Sequence, residues 1–237
     1  MNEKMKGIVT VFVDIDDTLW WFTENSKLAL RHTFDAFDIS SVCTYERFKD
    51  VYLKKNLELW ELYHHGLIDK DFLVNERFRF TLKECGYKGD VERMCHLLDE
   101  EYLRFLALQP TTIPGARQLL EYLVAKGYDV NTLSNGFQGT QQQKLISGGL
   151  SDLIHRNVLS DDCGITKPQR GIFDYALEQC GAEAATSVMI GDNPDADIKG
   201  AHDAGWRTIY FNIRGLEPIE GTADAVVTSL DEIQQIL

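Results

Sequence analysis

The chain has 237 residues, 44% of them hydrophobic, five cysteines and a formal charge of −13. That is enough material for one large domain or for a core with one insertion, and the acidity argues against nucleic-acid polymers and anionic membranes as partners, since both need a basic face. No apolar run approaches the ~20 residues that cross a bilayer, Met1 to Lys6 is charged without a leader pattern, and Cys43, Cys85, Cys95, Cys163 and Cys180 are scattered, so a cytoplasmic protein with reduced thiols is expected.

In chain order, Ile8 to Val13 reads as a strand buried on both faces of a parallel sheet, because it lacks polar alternation. It ends in Asp14, Asp16 and Asp17, with Thr18 closing a D-x-D-x-T sequence. Open parallel sheets place ligands at such strand ends. Crowded like charges destabilise a fold unless something cationic neutralises them, and a hard divalent ion such as Mg²⁺ takes oxygen ligands. Asp14 and Asp16 are two apart, so both side chains leave on one side of the strand. Trp20, Trp21 and Phe22 follow directly, either as a stacking surface for a substrate ring or as packing for the loop.

From there to Leu108 the periodicity predicts helices only, over about 25–37, 45–64, 70–85 and 90–107, broken at Gly66, Gly86 and Gly89. Such a block between two core strands reads as an inserted helical cap. It assigns 21–107 to the cap, and 1–20 with 108–237 to an α/β core. Arg77 within it either reaches a substrate or pairs with a cap carboxylate. Past Pro110, a helix begins at Pro114 and ends at Gly127. A strand then runs over 128–134, followed by Asn135-Gly136 and a helix through Ile146. Strands near 155–159, 187–191, 207–211 and 225–227 alternate with helices over 170–180, 195–204 and from about 230. This alternation predicts a doubly wound parallel sheet.

Three further segments end core strands. Ser134-Asn135-Gly136 opens a helix, where backbone N–H groups suit an anion. Lys167 stands before Pro168 and can balance a carboxylate and a phosphate oxygen together. A second buried strand, Val188 to Ile190, runs into Gly191-Asp192-Asn193-Pro194-Asp195-Ala196-Asp197. Each alone has an ordinary explanation as a turn, a solvated lysine or an acidic helix start.

Together and in this order they resemble the four signatures of the haloacid dehalogenase-like hydrolases, most of which are phosphatases. The resemblance covers residues 8–20 and 110–237 and implies a Rossmann-like core. It matches Asp14 to the nucleophile, Asp16 to the general acid/base, and Ser134, Asn135 and Lys167 to the phosphate-holding positions. Mg²⁺ is implied on Asp14, Asp192 and the backbone carbonyl of Asp16, supported from behind by Thr18 and Asp197. The cap sequences Leu59-Trp60-Glu61-Leu62-Tyr63 and Arg77-Phe78, with Ser134-Asn135-Gly136-Phe137 and its glutamine-rich helix, look like the pyrimidine nucleotidase branch. A nucleoside 5′-monophosphate is the small phosphorylated metabolite this implies, with sugar phosphates or phosphoglycolate as the alternative. A phosphomutase would keep every core residue. A dehalogenase has no need of Asp16 or of Asp192 and Asp197, and a phospho-accepting receiver module is about half this length.

Overall fold

A computed structural model describes residues 4–237; Met1, Asn2 and Glu3, where the charged N-terminal stretch begins, lie outside the described residues. The chain divides into two compact units, one made of the segment up to Phe22 with Pro110–Leu237, the other of Thr23–Gln109.

Strand β1 (Thr10–Val13) is buried at all four positions, as an unbroken Val/Phe run requires in a sheet covered on both faces. It starts two residues later than its apolar letters suggest, and Val9 just before it is exposed. The helical unit follows, with α1 (Phe22–Ala36), α2 (Tyr45–His64), α3 (Lys70–Cys85) and α4 (Val91–Ala107). Thr44, Asp69 and Asp90 each accept a backbone N–H of the first turn, so α2, α3 and α4 begin where a capping side chain satisfies an otherwise unpaired donor. Phe48, Tyr52, Phe78 and Tyr102 pack ring on ring in its interior, with centroids 4.6 to 6.3 Å apart.

Arg77 is part of that interior. It is 2% exposed and its Nε donates to Asp99 Oδ1 at 2.7 Å. The expectation that Arg77 lines a substrate pocket is therefore corrected: its guanidinium is held by a buried carboxylate of the same unit. Stranding one member of a buried ion pair costs about 3–5 kcal/mol. Arg77→Met is thus expected to lower the melting temperature of the protein, at the lower end of that range because the methionine fills the aromatic slot. Adding Asp99→Leu should recover most of the loss. Unchanged melting in Arg77→Met would refute the pairing.

The second segment of the core returns through α5 (Ala116–Ala125), β2 (Asp129–Ser134), α6 (Gln138–Ser147), β3 (Arg156–Leu159), the short α7 (Ser160–Cys163), α8 (Arg170–Cys180) and β4 (Ser187–Gly191). The expected helix over 195–204 is not continuous. Pro194–Lys199 winds as a π-helix, and only α9 (Gly200–Asp203) closes as an α-helix. The cause is local: the Asn193 carbonyl accepts from both the Asp197 and Ile198 N–H groups, widening the turn. Strands β5 (Arg207–Phe211) and β6 (Ala225–Val227) follow, and the expected terminal helix is a 3₁₀ segment, Leu230–Gln235.

All six strands are parallel, in the order β3-β2-β1-β4-β5-β6. The chain adds strands on one side of β1 and then crosses to the other, so the switch point falls between β1 and β4, where ligands of such sheets bind. On one face Phe12, Leu133, Val158, Phe173, Met189 and Trp206 form a single apolar cluster. Val13 pairs in register with Thr132 and Ile190, so the C-terminal ends of β1, β2 and β4 lie side by side. Among the described residues no helix is long and apolar enough to cross a membrane.

Candidate active site

The site begins with the turn that follows β1. The Asp14 N–H donates to the Ile190 carbonyl at 2.9 Å, extending the ladder by one residue. Asp17 then adopts a left-handed conformation, φ 59°, which a short polar side chain tolerates better than most. Leu19 and Trp20 donate back to the Ile15 carbonyl, and Asp17 donates to the carbonyl of Trp20. The turn closes on itself and leaves the three aspartates at the end of the sheet.

Lys167 reaches this point from the loop after α7. Its ammonium donates to Asp14 Oδ1 and Asp197 Oδ1, both at 2.6 Å, and to the Leu133 carbonyl at 2.7 Å. An ammonium has three hydrogens, and all three are engaged. Asn135 fixes the lysine's backbone: its Nδ2 donates to the Lys167 carbonyl at 2.9 Å, and its Oδ1 accepts the Lys167 N–H at 2.8 Å. The Asn135 side chain thus serves Lys167 at both ends, which confines the expected phosphate contact at this position to the backbone of the turn. The Lys167–Pro168 peptide is cis. Ser134 Oγ accepts from the Gly136 N–H and from Gln141 Nε2, at 3.2 and 2.6 Å, which leaves its own O–H to donate.

Asp192 continues β4. Thr18 Oγ1 donates to its Oδ1 at 3.4 Å, and Arg214 Nη2 lies 2.7 Å from its Oδ2. Arg214 also donates to Asp17 Oδ2 at 3.2 Å. Asp197 Oδ2 accepts the Asn193 N–H at 3.0 Å, which aims the other oxygen at Lys167. Gly191 is a glycine for this reason: a methyl there would overlap the Asp197 carboxylate.

Oxygens of Asp14, Asp192 and Asp197, all buried, lie within 4.8 Å of one another. Five carboxylates here (Asp14, Asp16, Asp17, Asp192 and Asp197) meet three cations, Lys144, Lys167 and Arg214, a formal excess of two negative charges. Burial, with Lys167 opposing it, pushes the Asp14 carboxyl up to about 7. Burial likewise raises Asp192 well above the usual range, opposed by Arg214. The Lys167 ammonium is disfavoured by burial, but Asp14 and Asp197 more than reverse that and its pKa is raised. The Asp192 Oδ2 contact with Arg214 falls outside hydrogen-bonding geometry, so among the described residues this buried carboxylate oxygen has an ion-pair contact and no hydrogen bond. All-oxygen donors, two uncompensated charges and that oxygen fit a hard divalent cation.

The Asp16 side chain has a separate set of partners, all on α6. Lys144 Nζ donates to both of its oxygens, at 2.7 and 3.0 Å, and Gln141 Nε2 donates to Oδ2 at 2.9 Å. Trp20 is wholly buried and carries the Lys144 ammonium 4.8 Å from its ring centre, with Phe22 on the same ammonium at 5.3 Å. The substrate-stacking expectation for Trp20 is corrected to packing, since no ligand reaches a fully covered ring. Trp21 and Phe22 are half-buried.

Lys144, Gln141 and Arg214 are the functional neighbours that the letters did not reveal. Gln141 and Lys144 are three apart and share a face of α6, so a polar pair on a face that should be apolar was the available signal. Arg214 sits in the loop after β5 with no local pattern around it.

The sequence matches the haloacid dehalogenase-like hydrolase family over residues 8–205. It is 34% identical over 229 residues to the pyrimidine 5′-nucleotidase YjjG of Escherichia coli, covering 96% of each chain. It is 30% identical over 205 residues to the pyrimidine 5′-nucleotidase PynA of Streptococcus pneumoniae, covering 86% of this chain and 84% of that one. A crystal structure of the putative HAD-hydrolase YfnB of Bacillus subtilis, bound to magnesium, superposes with a TM-score of 0.87 at 31% identity, over 98% of this chain and 99% of the other.

Proposed function

The chain belongs to the haloacid dehalogenase-like hydrolases and is a phosphatase of that family, and from this premise we propose a metal-dependent phosphomonoesterase that works through an aspartyl-phosphate on Asp14 and acts on nucleoside 5′-monophosphates. The observation that carries the proposal is the convergence of Asp14, Lys167, Asp192 and Asp197 at adjacent strand ends.

Asp14 Oδ attacks phosphorus, and the ester P–O bond breaks with its electron pair on the leaving oxygen. Asp16, protonated at the start of the cycle, gives that oxygen its proton. Water then attacks the phosphorus of the aspartyl-phosphate, Asp16 takes the water's proton, and the Asp14 carboxylate and inorganic phosphate are released. Lys167 and the Ser134 O–H stabilise the charge on the transferring phosphoryl oxygens. Asp14 and Asp192 would hold Mg²⁺, with the Asp16 backbone carbonyl as the family resemblance implies and Asp197 beside them. When bound, the ion would offset the two uncompensated charges and the charge that builds on the phosphoryl group. Magnesium on the relative YfnB and the nucleotidase activity of YjjG and PynA support both choices.

Two expected results follow from the site. Chelation by EDTA should reduce phosphate release to background and added Mg²⁺ should restore it; full turnover in EDTA would remove the metal from the scheme. Measured side by side, nucleoside monophosphates should be hydrolysed faster than sugar phosphates, phosphoglycolate or pyrophosphate. Release from sugar phosphates alone would overturn the nucleotide assignment and leave the phosphatase intact.

A further inference from the structure

Lys144 is an expensive residue where it stands. It is 3% exposed, on a helix face whose neighbours Gln141 and Leu145 are also covered, while Gln142 and Ile146 of the same helix face water. An ammonium buried in this way destabilises the fold unless it is paired and hydrogen-bonded. A helix packing on a sheet needs no cation there; leucine or methionine would serve. The pairing it receives is specific: both oxygens of Asp16, and the faces of Trp20 and Phe22. Gln141, one turn earlier, holds Asp16 Oδ2 and Ser134 Oγ through the same amide nitrogen. Asp16 itself keeps 29% of its side chain open. The carboxylate is gripped from the α6 side and still reaches solvent.

We propose that Lys144, with Gln141, is a positioning residue for Asp16: the two fix the orientation of the carboxylate that delivers the proton to the leaving oxygen and tie it to Ser134. The proposal rests on the general-acid role given to Asp16 above. A carboxylate on a freely rotating side chain meets the ester oxygen only part of the time. One clamped at both oxygens presents a fixed edge, and proton transfer requires heavy-atom approach within about 2.6–3.2 Å. Gln141 couples that edge to the hydroxyl that binds the phosphoryl group, so the proton donor and the phosphate seat are held in one frame.

Leaving-group dependence separates this role from a structural one. A p-nitrophenyl ester leaves as a stable phenolate and needs no proton, whereas an alkyl ester such as a nucleoside 5′-monophosphate leaves as an alkoxide and needs one. For Lys144→Met, which fills the aromatic slot without the charge, kcat/KM on the alkyl ester should fall by roughly 10²-fold, the usual scale of general acid catalysis. On the aryl ester it should change by less than about three-fold on the same argument. The comparison uses kcat/KM because it reports only the steps through ester cleavage, whereas the water step, in which Asp16 is the base, enters kcat alone. Lys144→Arg should restore most of the loss. Lys144→Gln is measured in parallel, with thermal melting of all variants, so that a folding defect in one does not decide the result. Equal losses on both esters, or no loss on either, would overturn the proposal. Asp16→Asn is the internal control. If it shows no selective loss on the alkyl ester, the general-acid reading of Asp16 fails; if it does and folded Lys144 variants do not, only the role of Lys144 fails.

Discussion

Asp14→Asn is expected to lower phosphate release by roughly 10⁴-fold or more, the scale seen when a nucleophile is deleted from an otherwise intact site, without unfolding the chain. The amide keeps an oxygen at the position that accepts from Lys167 Nζ at 2.6 Å, so the three-way arrangement of the ammonium survives. It also removes one negative charge from a group of five carboxylates, four of them buried, where burial already pushes the Asp14 carboxyl up to about 7. Stability should hold or rise. An amide oxygen is a poor nucleophile toward phosphorus and cannot form the mixed anhydride, so the first step is lost and binding is not. The measurement pairs initial rates on the best substrate with thermal melting of both proteins. In the parent, rapid acid quench with labelled substrate should trap phosphate on the protein; in the variant it should not. Comparable hydrolysis by the variant and the parent would refute Asp14 as the nucleophile. A variant that is dead but also unfolded would indicate instead that the carboxylate charge is structural, and the intact ammonium geometry argues against that outcome.

The strand ends were legible in the letters because buried parallel strands are written as continuous apolar runs, and acids immediately after such runs are conspicuous. Thr10–Val13 and Ser187–Gly191 each show this, and Asp14 and Asp192 fall directly after them. Lys167 was legible only through its order in the chain, since nothing local distinguishes it from a solvated loop lysine. What holds these residues was not legible. Asn135 resembles a turn residue, and its hold on the Lys167 backbone spans 32 positions. Gln141 and Lys144 reach back more than 120 positions to Asp16. Arg214 meets Asp17 and Asp192 from a loop with no pattern of its own. Arg77 and Trp20 were open questions in sequence because a functional and a packing role use the same letters; burial separates them. The widened turn at Pro194–Lys199 escaped for a related reason. Its apolar spacing suits an α-helix, and the departure comes from one carbonyl, that of Asn193, accepting two N–H groups.

Lys167→Met should damage the protein in two ways that can be measured apart. The substitution removes the cation shared by Asp14 and Asp197 and strands two carboxylates that are nearly sealed from water, together with the Leu133 carbonyl. Stranding one charge of a buried pair costs about 3–5 kcal/mol, so two stranded charges place the loss at or beyond the top of that range. For a chain of this size each kcal/mol shifts the melting temperature by about 2–4 °C, and a fall of roughly 10 °C or more is expected without added metal. Turnover should fall with it, because the ammonium no longer balances the nucleophile and the phosphoryl oxygens. Lys167→Arg is not a conservative rescue: a planar guanidinium cannot direct three hydrogens to three acceptors placed around one nitrogen. The second substitution separates the two effects. Asp197→Asn on the Lys167→Met background removes one stranded charge and should recover several degrees of melting temperature, while turnover stays at background. Mg²⁺ should raise the melting temperature of the single variant by neutralising the same carboxylates. Parent-like melting in Lys167→Met would mean that Asp14 and Asp197 are not held as an ionised pair by this lysine. Recovery of turnover along with stability in the double variant would mean that Lys167 acts on the fold and not on the phosphoryl group.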